Sequence, residues 1–197
     1  MQPTARPETV ALPPVEPEPA VLVHSSADRR LATEHWLLAT HPTPEQARRE
    51  WSEPGKVALL PLGTLFSAVR LPGRLVLAVA GGKAPSRDVD ALLDEVLEGG
   101  PVICDVQGPR YYALVPGSTP EKFRQALEEW RPLGVDCLGR GTYLGVPRVD
   151  AVEFDPQACA SYWSVPMSSA ATLCTPLNVA RLIAAGKRVL EEAADES

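Results

Sequence analysis

Apolar positions in this chain fall into two patterns, short unbroken runs and helical stripes, with Gly and Pro marking the divisions between them. Val57–Leu62 and Leu65–Leu71 are unbroken runs divided by Gly63-Thr64, and a third, Leu75–Ala80, follows Pro72-Gly73. Their length and the breakers around them predict three strands of a sheet. Pro101–Val106 and Tyr111–Val115 flank Gln107-Gly108-Pro109 and predict a β-hairpin. Gly134–Leu138 and Thr142–Val146 predict a further pair of strands, with Gly139-Arg140-Gly141 as a tight turn between them. Tyr162–Val165 predicts a last strand.

The helical stripes come with caps. Ser26 is placed to cap a helix through Asp28 and Leu31 to Leu37, although Glu34–Ala39 fits a strand equally well. Thr43-Pro44-Glu45-Gln46 starts a short helix with Pro at its first position, and Ala47 and Trp51 follow at i, i+4 spacing. Ser86 caps a helix over Arg87–Glu98, with Val89, Leu92, Leu93, Val96 and Leu97 on one face and Gly99-Gly100 as its stop. Thr119-Pro120-Glu121 opens another, with Phe123, Leu127 and Trp130 on one side. Thr175-Pro176 begins a C-terminal helix over about 176–192, which Gly186 weakens. All four tryptophans, Trp36, Trp51, Trp130 and Trp163, read as core or half-buried packing. Together these elements predict a single α+β domain over 26–194, with a mixed or antiparallel sheet and short flanking helices.

Residues 1–25 differ in kind. Six prolines in the first twenty positions, with Glu8, Glu16 and Glu18 between them, leave too little apolar surface to offset the entropy of ordering. A disordered tail is expected, either a solubilising leader or a proline-rich arm for a protein partner. Cys104, Cys137, Cys159 and Cys174 form no C-x-x-C and are read as buried thiols, which points to a cytoplasmic protein. No apolar run approaches the roughly 20 residues of a membrane helix, and no membrane partner is expected.

A net charge of −6 argues against a general nucleic-acid coat but leaves room for a local basic cleft. Pro54 to Arg87 is where such a cleft would draw its charge. That stretch contains no Asp or Glu, yet carries Lys56, Arg70, Arg74, Lys83 and Arg87.

Three pieces of sequence, in order, carry a resemblance. The first is Val57-Ala58-Leu59-Leu60-Pro61-Leu62-Gly63 with Leu65–Leu71. The second is Gly100–Asp105 with Arg110–Val115. The third is Gly139–Pro147, followed by Tyr162-Trp163. Over about His35 to Val165 the chain resembles the N-terminal domain of bifunctional DNA primase/polymerases, of the archaeo-eukaryotic primase class, in compact actinobacterial form. The resemblance implies a nucleotidyl-transfer centre in which an Asp-x-Asp/Glu pair holds divalent metals on the strand after the first Gly. Here Ser67 and Val69 stand at that pair, and no register within Leu65–Leu71 supplies a carboxylate. The resemblance also implies a His on the following hairpin. Here that stretch is Arg110-Tyr111-Tyr112, and His24, His35 and His41 all lie upstream. A relative without its catalytic metal site is therefore expected, binding a nucleotide, single-stranded nucleic acid or a protein partner. No cofactor is expected, and Mg²⁺ only under the alternative of an active polymerase with relocated acids. A second alternative is a protein-interaction module without nucleotide affinity.

Candidate site residues follow from charge and aromatic character. Arg70, Arg74, Arg110, Tyr112 and Arg140 are the expected ligand-binding set, Arg140 bordering the cleft if the primase-like topology holds. Alternation sends Tyr111 and Tyr112 to opposite faces, so one faces a ligand and the other the core. Asp105 is the first acid to check for catalysis; Asp136 sits between strand residues. Asp88 and Asp90 form a D-x-D in a helical first turn, where the two side chains diverge. Ala80–Ser86 is Gly-rich but lacks P-loop spacing, and reads as a strand-to-helix turn. No G-x-S-x-G nucleophile motif occurs.

Overall fold

The computed structural model describes residues 25–53, 55, 57–155, 157 and 160–195. The expected tail, His24, Lys56 and Cys159 lie outside the described residues. Among the described residues the chain forms seven α-helices and two antiparallel sheets. The helices are α1 (Ser26–Leu38), α2 (Pro44–Trp51), α3 (Gly73–Ala80), α4 (Arg87–Val96), α5 (Thr119–Lys122), α6 (Arg124–Trp130) and α7 (Pro176–Asp195). The strands are β1 (Val57–Pro61), β2 (Phe66–Pro72), β3 (Val102–Asp105), β4 (Arg110–Pro116), β5 (Asp136–Leu138), β6 (Tyr143–Pro147) and β7 (Tyr162–Val165).

Five strands form the main sheet in the order β5-β2-β4-β3-β7, and β1 with β6 forms a separate two-stranded ribbon. Alternation along β2 divides the core between the two faces of the main sheet. Val69 and Leu71, with Tyr111, Ala113 and Val115 of β4, pack under α3, α4 and α7. Phe66 and Ala68, with Leu114 of β4 and Ile103 of β3, pack against the ribbon, α1 and α2. Two of the buried indoles donate their N–H groups to backbone carbonyls. Trp51 Nε1 donates to Val146 O (2.8 Å) and Trp163 Nε1 to Arg148 O (3.0 Å).

The α+β class, the β3–β4 hairpin, β7 and most helices agree with the sequence reading. Ser25 rather than Ser26 caps α1, sharing a reciprocal capping box with Asp28, and the helix continues to Leu38 in place of the strand alternative. The helix from Thr119 breaks at Phe123 into α5 and α6. Leu75–Ala80 is not a strand but the body of α3. An apolar run alone does not distinguish a buried strand from a buried helix. This one has α4 and α7 beside it as well as the sheet, and Pro72 sits at its N-cap. Gly81, at φ 61°, ends it in the left-handed conformation, so Ala80–Ser86 joins two helices rather than a strand to a helix.

The predicted pairing of Gly134–Leu138 with Thr142–Val146 is also corrected. β5 pairs with β2 and β6 with β1, so Gly139-Arg140-Gly141 crosses between sheets and is not a hairpin tip.

Gly186 acts through packing more than through helix propensity. A Cβ there would lie 2.6 Å from Leu75 Cδ2 and 2.7 Å from the Leu75 carbonyl oxygen, so its absence lets α7 approach α3. Ala is about 1 kcal/mol better than Gly in an isolated helix. Gly186→Ala is nevertheless expected to destabilise the domain by about 1–3 kcal/mol through overpacking, read from the urea unfolding midpoint.

Asp90 explains how α4 docks on β7. Asp88 is exposed, whereas Asp90 turns inward and accepts from Tyr162 Oη (2.9 Å) and Ser164 Oγ. Burial raises the Asp90 carboxyl above its ordinary value, against the pull of those two hydrogen bonds. A carboxyl raised by folding stabilises the native state below its unfolded value, and that contribution is lost as pH rises through the folded value. Asp90→Asn should therefore gain stability relative to the native protein as pH rises above about 4, measured as the difference in urea midpoints on the two sides of that value.

Candidate functional site

Position along β2 decides what its side chains meet. Phe66, Ala68 and Arg70 share the ribbon-facing side, and the first two are buried. Arg70 emerges near the strand's end, opposite Tyr112 of β4 on one side and Asp136 of β5 on the other. Its guanidinium donates to the Asp136 carboxylate, and both side chains are more than a third exposed.

The hairpin extends this surface. Arg110 and Tyr112 alternate onto the same face, and Asp105 stands opposite Arg110 in register. Tyr111 turns into the helix-side core and is fully buried, so the two tyrosines separate as alternation requires. Asp105 Oδ1 accepts from Gln107 N (3.2 Å), closing a turn at the hairpin loop.

Two concavities adjoin these residues. One, of about 200 Å³, is lined by Arg70, Pro72, Gly108, Pro109, Arg110 and Gly134. The other, of about 320 Å³, lies between the main sheet and the ribbon, with Asp105, Gln107, Tyr112 and Ser161 as its polar lining. Ile103, Val57 and Leu144 supply its apolar wall. Gly145 is held bare there, because a Cβ would fall 2.8 Å from Val57 Cγ2. Guanidiniums in one compartment and an aromatic ring with apolar walls in the other suit a ligand with an anionic part and a flat part.

Arg74 and Arg140 stand differently. Arg74 Nη2 donates to Leu133 O (3.0 Å), tying α3 to the turn before β5 at the edge of the first concavity. Arg140 lies at the opposite end of β2, packed so closely on Gly63 that a Cβ there would be 2.3 Å from Arg140 N. The structure therefore brings Arg70, Arg110, Tyr112 and Asp105 together, leaves Arg74 beside them in a structural contact, and places Arg140 apart. Arg140 was expected to border the same cleft on the primase-like topology; the crossing from β5 to β6 carries it to the other end of β2 instead.

Ser67 and Val69, at the positions where the resemblance implies metal-binding carboxylates, are buried on the opposite face of β2. Ser67 Oγ donates to Gly117 O (3.1 Å) and Val69 packs under the helices. Among the described residues no group of three or more His, Cys, Asp or Glu side chains is placed to hold a metal ion. Burial pushes the thiols of Cys104 and Cys174 up to about 12 and that of Cys137 up to about 11, so all three remain protonated near neutrality. All three are free; Cys104 and Cys174 are buried as the sequence reading expects, and Cys137 is half-buried.

Sequence reasoning noticed Asp136 but not its partnership with Arg70, which depends on the β2–β5 register. Val57, Leu144, Gly145 and Ser161 were not identified as site residues, because only the ribbon's docking brings them to Tyr112. The exposed Arg70–Asp136 pair is worth no more than about 1 kcal/mol. Asp136→Asn should accordingly change the urea-derived stability by about that amount or less.

No family model, no curated protein and no solved structure matches this chain.

Proposed function

We propose that this chain is a primase/polymerase-like domain without a metal-dependent catalytic centre, and that it binds a nucleotide or single-stranded nucleic acid at the Arg70–Arg110–Tyr112 end of its main sheet. The observation that carries this reading is the convergence of two arginines and one half-buried tyrosine on a single face, each beside one of two concavities. The guanidiniums would take phosphate oxygens, and the Tyr112 ring with Ile103 and Leu144 would take a base. Asp105 would accept from an amino or hydroxyl group of the ligand.

The alternative of an active polymerase with relocated acids has two carboxylates to call on here, Asp105 and Asp136. They stand on β3 and β5, separated by β4 and β2. Three strand spacings amount to about 14 Å, whereas the metals of a two-metal centre sit about 4 Å apart. That spacing favours binding over catalysis. Cytoplasmic residence belongs to the same proposal, supported by the free buried thiols. Among the described residues no helix is long and apolar enough to cross a membrane.

Anisotropy with short single-stranded oligonucleotides at several salt concentrations tests the reading. Two phosphate contacts predict a slope of log K against log salt of about −1.4, and Arg70→Ala with Arg110→Ala should abolish it. Binding that ignores both salt and the double substitution would sink the nucleic-acid reading in favour of a protein-interaction module. Mg²⁺-dependent primer extension by the purified protein would overturn the absence of catalysis.

A further inference from the structure

The β3–β4 hairpin sets an acid beside the Tyr112 ring. Ile103 stands opposite Tyr112 and Asp105 opposite Arg110 in the β3–β4 register, so all four share the ribbon-facing side of the sheet. Asp105 and Tyr112 are diagonal neighbours on that side, about 7–8 Å apart by the ordinary spacing of an antiparallel pair. Both line the compartment of about 320 Å³, and Asp105 is the one charged side chain in its described lining.

The carboxylate is held in place yet only half committed. Its Oδ1 accepts from Gln107 N (3.2 Å), which fixes the side chain in a turn at the hairpin loop. Asp105 makes no other hydrogen bond and no ion pair among the described residues. Arg110 stands opposite without pairing to it, whereas Asp136 on β5 is taken up by Arg70.

Charge and hydrogen-bonding capacity divide the surface between them. An ionised carboxylate repels phosphate, so the anionic part of a nucleotide is turned toward Arg70 and Arg110 and its base is left beside Tyr112 and Asp105. The hydroxyls of Tyr112 and Ser161 and the amide of Gln107 can each donate or accept, and so fit any base edge. Ionised Asp105 can only accept. Adenine, cytosine and guanine offer it an exocyclic amino hydrogen. Uracil and thymine offer only a ring N–H flanked by two carbonyl oxygens, which repel a carboxylate.

We propose that Asp105 makes this a site selective for bases with an exocyclic amino group, taking cytosine over uracil or thymine among the pyrimidines. The inference rests on the nucleotide-binding reading of this surface and adds the identity of the base to it. A base lying on the Tyr112 ring, between the walls of Ile103 and Leu144, presents its amino edge to the uncommitted oxygen of Asp105.

Fluorescence anisotropy with short oligomers of deoxycytidine and deoxyuridine tests the selectivity, because these bases are alike in size and differ as amino against carbonyl. The cytidine oligomer should bind about three- to tenfold more tightly, less than a fully buried charged bond would give because Asp105 is only half-buried. Asp105→Asn should bring the two affinities within about twofold, since its amide can turn to donate to the uracil carbonyl. Asn also supports the turn to Gln107 N, so the hairpin is preserved. Loss of a negative charge strengthens binding of every anionic ligand, so the ratio of affinities is the readout. The same preference in calorimetric titrations with the two monophosphates makes a free nucleotide sufficient, and its restriction to the oligomers assigns the site to a strand. Equal affinities in the native protein, or a preference that survives Asp105→Asn, would overturn the selectivity. In that case, salt-dependent binding that is lost in Arg70→Ala with Arg110→Ala leaves the nucleotide-binding reading intact. No binding of any probe would overturn both.

Discussion

The rest of the molecule depends on β2 being enclosed from every side. Its backbone pairs with β4 along one edge and β5 along the other, and its two faces carry separate halves of the core. An ionised side chain in the interior of such a strand would lose its hydration without a partner, at a cost of several kcal/mol. The carboxylate-free character of Leu65–Leu71 thus has a structural cause. Arg70 is tolerated because it lies near the strand's end, partly in water, with Asp136 opposite.

The same enclosure organises the surface. Because β2 and β4 are in register, burial of Phe66, Ala68 and Leu114 carries Arg70, Arg110 and Tyr112 to one end of the same face. The ribbon covers that face only in part, and the uncovered remainder forms the concavities beside Asp105 and Tyr112. The packed sheet thereby presents a small set of cations and one ring without ordering a long loop, which would lower the entropic cost of the binding proposed above.

Two further devices adapt the scaffold. Gly186 lets α7 close on α3, making the helix layer thin enough for the apolar run Leu75–Ala80 to be buried as a helix. The indoles of Trp51 and Trp163 hold the end of β6 and the segment after it, and so fix where Arg148 and Asp150 stand. In each case a residue that sequence alone reads as a weakness or as generic packing sets where its neighbours stand.

Local chemistry by itself determined the caps at Ser86 and Thr175, Pro44 at the first turn of α2, the β3–β4 hairpin around Gly108-Pro109, and the opposite facing of Tyr111 and Tyr112. Each follows from interactions within a few residues, so each was legible in the sequence. Tertiary structure decided the rest. Leu75–Ala80 is apolar throughout, and only the neighbours that bury it select helix over strand. Strand partners are set by contacts far apart in sequence, so the separation of β5 from β6, the isolation of Arg140 and the Arg70–Asp136 pair were not readable in advance. The concavity lined by Arg30, Arg48 and Arg148 belongs to the same class. Its cations come from α1, α2 and the segment after β6, three stretches that nothing in the local pattern joins and that only packing brings together.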